Sequence, residues 1–265
     1  MSDITGGLSR NLPATRYTER EVRIWRHFWH TAALTGVLVP LLFLGAIGLG
    51  LGGLVEQNQG KVAGFDYLVF VAPGILAATA LQAAAGDSLW PVMAGTKWTK
   101  AYHAAAATPL SPANVYRGYL TWIGARMMLN ATLFMVVATV LGAVPSFWGV
   151  LAIPAAALGG LAFAAPLCAY SASQDSDLSF PVIMRVAVMP MFLFSGTFFP
   201  VDQLPTGFQV VARFTPLYHA VELCRGCTTG TLGLSAAVVH IAFLGACVAI
   251  GSWFGVRTFA AKLAP

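Results

Sequence analysis

Six stretches of this chain are mainly apolar over twenty or more residues each, with few interruptions: 31–54, 66–86, 115–142, 147–170, 180–199 and 233–255. As a helix the first, Thr31–Leu54, rises about 36 Å, enough to cross a bilayer core with some tilt. In hydrocarbon every backbone N–H and C=O must be bonded inside the protein, so runs of this length and composition are helical spans. Only 9% of the residues are charged, against roughly 25% in soluble domains. The expected fold is an all-α integral membrane protein with six transmembrane helices. No remaining segment is long enough to hold a separate soluble core.

The charges set an orientation. Arg10, Arg16, Arg20, Arg23 and Arg26 precede the first span. Lys97, Lys100, Arg117, Arg257 and Lys262 fall on the same side when six spans alternate, and Lys61, Arg213 and Arg225 fall opposite. Basic residues concentrate on the cytoplasmic face, so both termini are expected inside. The basic cluster reads as that flank and not as a nucleic-acid patch, because no basic–aromatic binding motif accompanies it. A full-length span follows it, which separates it from a secretory signal peptide.

The map is then as follows. Residues 1–30 are a cytoplasmic N-terminus with an amphipathic interfacial helix, in which Thr18 and Glu21 match a capping box. Val22, Trp25 and Trp29 share its apolar face; Glu19, Arg23, Arg26 and His30 lie opposite. Residues 31–258 are the transmembrane domain. Between the second and third spans a short cytoplasmic helix is expected within 96–109, ended by Thr108-Pro109. Residues 200–232 form an outer region, and 259–265 a cytoplasmic tail. Pro73-Gly74 marks a kink in the second span.

Phe192–Pro216 is the exception to simple spanning. Pro200, Asp202, Pro205 and Gly207 break the apolar run, and a short amphipathic piece, Phe208–Phe214, follows before Thr215-Pro216. Prolines remove donors and restrict their predecessors, so the piece cannot span. It is expected to dip into the outer leaflet and return. Phe194–Pro205 (FSGTFFPVDQLP) with Arg213–Gly226 (RFTPLYHAVELCRG) resembles the signature of ABC-2 type transporter permeases, nearest the daunorubicin-resistance and nodulation-factor exporters. Asp66–Ala77 (DYLVFVAPGILA) and Ala105–Gly118 (AAATPLSPANVYRG) support the likeness, which runs from about Arg16 to the C-terminus.

That resemblance implies a permease subunit that pairs with a second one, of the same or a related chain, and with an ABC ATPase in the bacterial plasma membrane. Its cargo would be an amphipathic drug, lipid or lipid-linked glycan. It implies that the 96–109 helix couples to the ATPase, with Lys97, Trp98, Lys100, Tyr102 and His103 as contacts, beside Glu19 and Arg23 of the interfacial helix. It implies that spans two and five border the path, through Ile75, Thr79, Gln82, Met184, Val188, Phe192 and Ser195. Phe199, Pro200, Pro205 and Gly207 would form an outer lid.

The residues themselves exclude catalysis of the common kinds. No GxxxxGK[ST] occurs, so this chain lacks the phosphate cradle of a P-loop enzyme, and ATP and Mg are expected on a separate ATPase. No HExxH, GxSxG or Cys/His cluster appears, and Asp175-Ser176-Asp177 reads as a solvated loop. Cys224-Arg225-Gly226-Cys227 is a redox pair, half a metal site near His219, or two small residues at a helix end. Arg126, inside the third span, either pairs with a carboxylate such as Asp87 or Glu222, lines a hydrated path, or snorkels to the headgroups. A proton-coupled transporter or channel is the alternative reading. His219, Glu222 and His240 are the groups it would use, but no internal repeat supports it.

Overall fold

The computed structural model describes residues 13–27, 30, 38, 41–53 and 60–263. Among them the chain is helical apart from turns and one isolated bridge, Val62 to Phe65. Most of the first expected span and Trp29 lie outside the described residues, which include a π-helical piece, α2 (Leu44–Leu51).

The amphipathic N-terminal helix, α1 (Pro13–Trp25), starts earlier than the capping box suggests. Thr18 lies in its interior, and its hydroxyl donates to the Gly118 carbonyl at 2.9 Å. The threonine therefore docks α1 and does not cap it. The docking needs Gly118: a Cβ there would lie 2.5 Å from the Ala14 carbonyl oxygen. Trp25 packs edge-on to Trp122, centroids 6.1 Å apart.

The helix α3 (Tyr67–Met93) continues as a π-turn, Ala94–Trp98, and so outruns the expected span 66–86 by about three turns. Polar composition suggested a loop there. The structure satisfies those groups instead: Ser88 and Thr96 hydroxyls bond carbonyls of their own helix, and Ser171 donates to the Leu89 carbonyl at 2.6 Å. The coupling segment is correspondingly shorter than 96–109. Only α4 (Ala101–Ala106) is helical, behind Lys100 in a left-handed conformation (φ 53°). Next come α5 (Pro112–Val140), capped by the Ser111 hydroxyl, and α6 (Ala152–Ser173), led in by a 3₁₀ turn, Phe147–Leu151.

The fifth expected span is short. The helix α7 (Phe180–Phe194) has 15 residues, with Pro181, Pro190 and a π-turn at Met184–Val188. Its rise of about 22 Å falls below a bilayer core. The outer region is two helices, α8 (Thr206–Arg213) and α9 (Pro216–Thr229). The last, α10 (Leu234–Leu263), passes through the expected tail almost to the C-terminus.

Among the described residues four helices are long and apolar enough to cross a membrane: Tyr67–Trp98, Pro112–Val140, Phe147–Ser173 and Leu234–Leu263. The apolar window of the first is 72% buried and that of the last 11%, so α3 is central and α10 peripheral. Around α6 pack α3, α5, α9 and α10, with α1 against α5. Small residues allow the close crossings. A Cβ at Gly159 would meet Ala220, and one at Gly251 would meet Pro166.

Candidate functional site

Two regions at opposite ends of the bundle hold the candidate residues. At the α4 end, Asp175 accepts from Lys97 at 2.5 Å and from Lys262 at 3.2 Å. One carboxylate thus ties the ends of α3, α6 and α10. The Lys97 ammonium, then that of Lys262, holds the Asp175 carboxyl below the usual carboxylate range. This loop is more than a solvated pair of charges.

Of the expected coupling residues, Trp98 is 60% exposed, and Lys100 and His103 are exposed beside it. Glu19 and Arg23 are exposed and pair with each other at 2.6 Å. Tyr102 corrects the expectation of a contact surface. It is 2% exposed, wedged between Tyr17, Tyr119 and Phe259 at 5.5 to 5.9 Å between centroids. Gly95 makes the room, since a Cβ there would lie 2.6 Å from the Tyr102 ring. The side chain anchors α4 to the bundle and cannot reach a partner.

Deeper in the bundle, the Arg126 guanidinium donates to Asp87 at 2.9 Å, with the two side chains 30% and 16% exposed. Asp87 belongs to α3 and not to a loop. Of the two carboxylates considered, Glu222 pairs elsewhere, with Arg225 at 2.7 Å.

The expected path residues divide. Ile75, Val188, Phe192 and Ser195 are buried; Thr79, Gln82 and Met184 are half-buried. Phe192 stacks edge-on to Phe43 and Phe198. The Thr79 hydroxyl turns back to the Ile75 carbonyl at 2.8 Å. A groove of about 290 Å³ opens beside this wall, lined by Pro190, Met191, Phe194 and Ser195 of the α7 side and Phe208 and Val211 of α8.

At the opposite end, three motif segments meet. Gly74 of α3 touches the turn after α7: a Cβ on it would lie 2.6 Å from the Thr197 carbonyl oxygen. Gly196 of that turn has φ 85°, a conformation that glycine adopts without strain. Its carbonyl accepts from Arg225 at 2.5 Å. Ser195 and Thr215 share a hydroxyl hydrogen bond at 3.0 Å. Sequence reading counted Arg225 only as an outer charge and Gly74 only as a kink. The available signal was that both sit within the quoted motifs. Of the lid residues, Phe199 and Pro200 are half-buried, while Pro205 and Gly207 are exposed at the start of α8.

His219 and His240 face each other across α9 and α10, Nδ1 to Nδ1 at 2.8 Å, and His219 Nε2 donates to the Arg213 carbonyl at 2.9 Å. His219 Nδ1 is then the acceptor and His240 Nδ1 the donor. Cys224 and Cys227 are buried, unlinked thiols, and Cys224 contacts the Ala152 carbonyl at 3.6 Å. Among the described residues no group of three or more His, Cys, Asp or Glu is placed to hold a metal.

A family model described as ABC-2 type transporter matches residues 17–228. The chain is similar to Nodulation protein J of Rhizobium leguminosarum bv. viciae, 31% identical over 242 residues, covering 89% of this chain and 91% of that protein. It is similar to Nodulation protein J of Rhizobium leguminosarum bv. trifolii, 33% identical over 211 residues, covering 77% and 79%. Nodulation protein J of Rhizobium meliloti (strain 1021) is 30% identical over 227 residues, covering 83% of each.

Proposed function

Since the chain belongs to the ABC-2 type transporter family, we propose that it is the membrane-spanning subunit of an ATP-driven exporter, working as a dimer of permeases above two ABC ATPases. The cargo is an amphipathic drug, lipid or lipid-linked glycan, taken from the cytoplasm or the inner leaflet. The site is the bacterial plasma membrane, with both termini and α4 inside. The resemblance to nodulation-factor exporters favours the lipid-linked glycan among these cargoes.

The observation that carries this reading is the corner at the end of α3. Trp98 projects 60% exposed beside exposed Lys100 and His103, while buried Tyr102 fixes α4 rigidly to the bundle. A protruding aromatic on a rigid mount suits docking into a partner's groove. Motion of that partner would pass through Tyr102 to α1, α5 and α10, because all three supply rings or contacts to it. ATP and Mg bind the partner and supply the free energy. This chain supplies the path and the difference in cargo affinity between its two states.

Co-purification tests the class. The tagged chain, extracted in mild detergent, is expected to carry a P-loop ATPase whose hydrolysis responds to the permease. Reconstituted vesicles are expected to move an amphipathic glycolipid only with ATP. Isolation without an ATPase, with cargo movement driven by a proton gradient, would replace this reading by the proton-coupled one.

A further inference from the structure

The corner between α3 and α4 carries a charge that the chain itself does not answer. Nine of the described Lys and Arg residues lie at the α1 end, against four carboxylates, Glu19, Glu21, Asp175 and Asp177. Three of those carboxylates are engaged: Glu21 with Arg20 and Glu19 with Arg23, each at 2.6 Å, and Asp175 with both Lys97 and Lys262. Arg257 lies over the Trp253 ring, 3.6 Å from its centroid. Lys100 is exposed, and among the described residues its ammonium has neither an ion pair nor a hydrogen bond. Its backbone is strained as well. With φ 53° and ψ 23° it sits in the left-handed region, which among the described non-glycine residues only Ala63 shares on the sign of φ. Neighbouring bonds pin it there. The Thr99 amide and hydroxyl both donate to the Ala94 carbonyl, at 2.8 and 3.0 Å, and the Lys100 carbonyl accepts from the Ala104 amide at 3.0 Å. A Cβ is disfavoured in this conformation and glycine is not. Glycine would relieve the corner, so what lysine adds is the ammonium.

We propose that this corner docks against an acidic groove of the ATPase, with the exposed Trp98 ring on an apolar floor and the Lys100 ammonium paired with a carboxylate on the wall. The proposal rests on the reading as a permease and adds to it the charge of the partner's surface. A lipid phosphate is the less apt counter-charge because of where the corner stands. The continuous helix Tyr67–Trp98 has 32 residues and rises about 48 Å. A bilayer with both headgroup layers is roughly 40–45 Å thick, so the inner end of this helix stands in water. The clamp at the same end agrees: Asp175 is 84% exposed while it holds Lys97 and Lys262. With those two lysines neutralised, the open positive charge beside Trp98 is that of Lys100. A cation at the edge of a docked aromatic steers encounter and fixes register, and its effect fades with salt.

The test titrates the P-loop ATPase that co-purifies with the chain onto the full chain in nanodiscs of neutral phosphatidylcholine, at 50 and 500 mM salt. The parent is expected to bind about fivefold more weakly at the higher salt. At 50 mM salt Lys100→Glu is expected to weaken binding about tenfold, Lys100→Arg to keep it within about twofold, and Lys100→Gln to lose most of the salt dependence. Lys100→Gly separates docking from folding. It relieves the left-handed backbone, so its unfolding temperature is expected to rise by about 2 °C while its binding weakens about threefold. A role in folding alone would move both readouts the same way, and that result would overturn the proposal. Binding by Lys100→Gln or Lys100→Glu equal to the parent's at both salts would overturn it too. So would parent binding that ignores salt while the Lys100 variants lose retention on phosphatidylglycerol vesicles, because the lysine would then answer to lipid. An ATPase that binds the parent and every Lys100 variant alike overturns the acidic groove only. Failure of the parent to bind any ATPase overturns the permease reading.

Discussion

Asp87 and Arg126 illustrate what a single charge costs inside the bundle. Removing one partner of a fully buried pair costs about 3–5 kcal/mol, and exposed pairs contribute about 0–1 kcal/mol. With side chains 16% and 30% exposed, Asp87→Asn is expected to destabilise by about 1–3 kcal/mol. The double change Asp87→Leu with Arg126→Met should recover most of that, as read by thermal unfolding in detergent. An equal loss in the double variant would mean that the pair is not the source. Tyr102 makes the complementary point. Its ring fills the space above Gly95, so Tyr102→Ala should cost about 3–5 kcal/mol and Tyr102→Phe far less. The pairing of Arg126 with Asp87 was one of three readings that the sequence left open, because an arginine inside an apolar run can also line a hydrated path or snorkel to the headgroups. Tyr102's burial was not legible, because a six-residue helix has too few turns to reveal a face. Thr18 and Glu21 misled for a related reason. The capping-box spacing also occurs inside helices, and Pro13 opens this one more than a turn earlier.

At the scale of elements, the long apolar helices were legible and their ends were not. Hydropathy stops α3 near Gly86, but the helix continues because Ser88, Thr96 and Ser171 find partners within or beside it. Hydropathy likewise carries the fifth span to Phe199, whereas the positive φ of Gly196 turns the chain after Phe194. Gly207, expected in the outer lid, meets a simple geometry. The residue is helical with nothing within 4 Å of a Cβ, so Gly207→Ala should fold normally. The α4 corner separates two roles by mutation. Trp98→Ala should leave unfolding temperature unchanged and weaken ATPase association about tenfold, roughly 1.4 kcal/mol, measured by titrated pull-down. Unchanged association would remove this corner from the interface. The Asp175 clamp adds a pH signature. Its carboxyl titrates lower in the folded chain than unfolded, so its stabilisation is complete above the ordinary Asp range and lost as pH falls through the folded value. The stability difference between the parent and Asp175→Asn should therefore stay constant from pH 8 to about 5 and vanish on further acidification. A difference that grew towards low pH would contradict the clamp.

For the molecule as a whole, the contacts sort charges to two ends without reference to a membrane. Lys97, Asp175 and Lys262 meet at one end, and α1 joins them there through Gly118 and Tyr102. At the other end the Ser146 amide donates to the Thr228 carbonyl at 3.0 Å, which places the α5–α6 connection beside the end of α9. Asp202 and Arg213 pair at 3.0 Å near that same end. The helices α3, α6 and α10 therefore run in one direction and α5 in the other. This is the alternation that the charge bias requires. Nine of the fourteen described Lys and Arg residues fall on the α1 side of that scheme, and the positive-inside rule predicts that this side is cytoplasmic. The test is labelling of single cysteines in intact cells, before and after permeabilisation. Cysteines replacing Lys100 and Lys262 should react only after the membrane is opened, and those replacing Lys61 and Gln203 should react at once. The short α7 makes this a demanding test. With 15 helical residues it crosses only if the Ser195–Phe199 turn and its neighbours complete the distance, buried against α3 and α9, as backbone outside regular helix must be at membrane depth. If α7 did not cross, α8 and α9 would lie on the same side as Asp175, and Gln203 would react only after permeabilisation while Lys61 reacted at once. That split result would refute the topology, and agreement of both sites would carry the whole alternation.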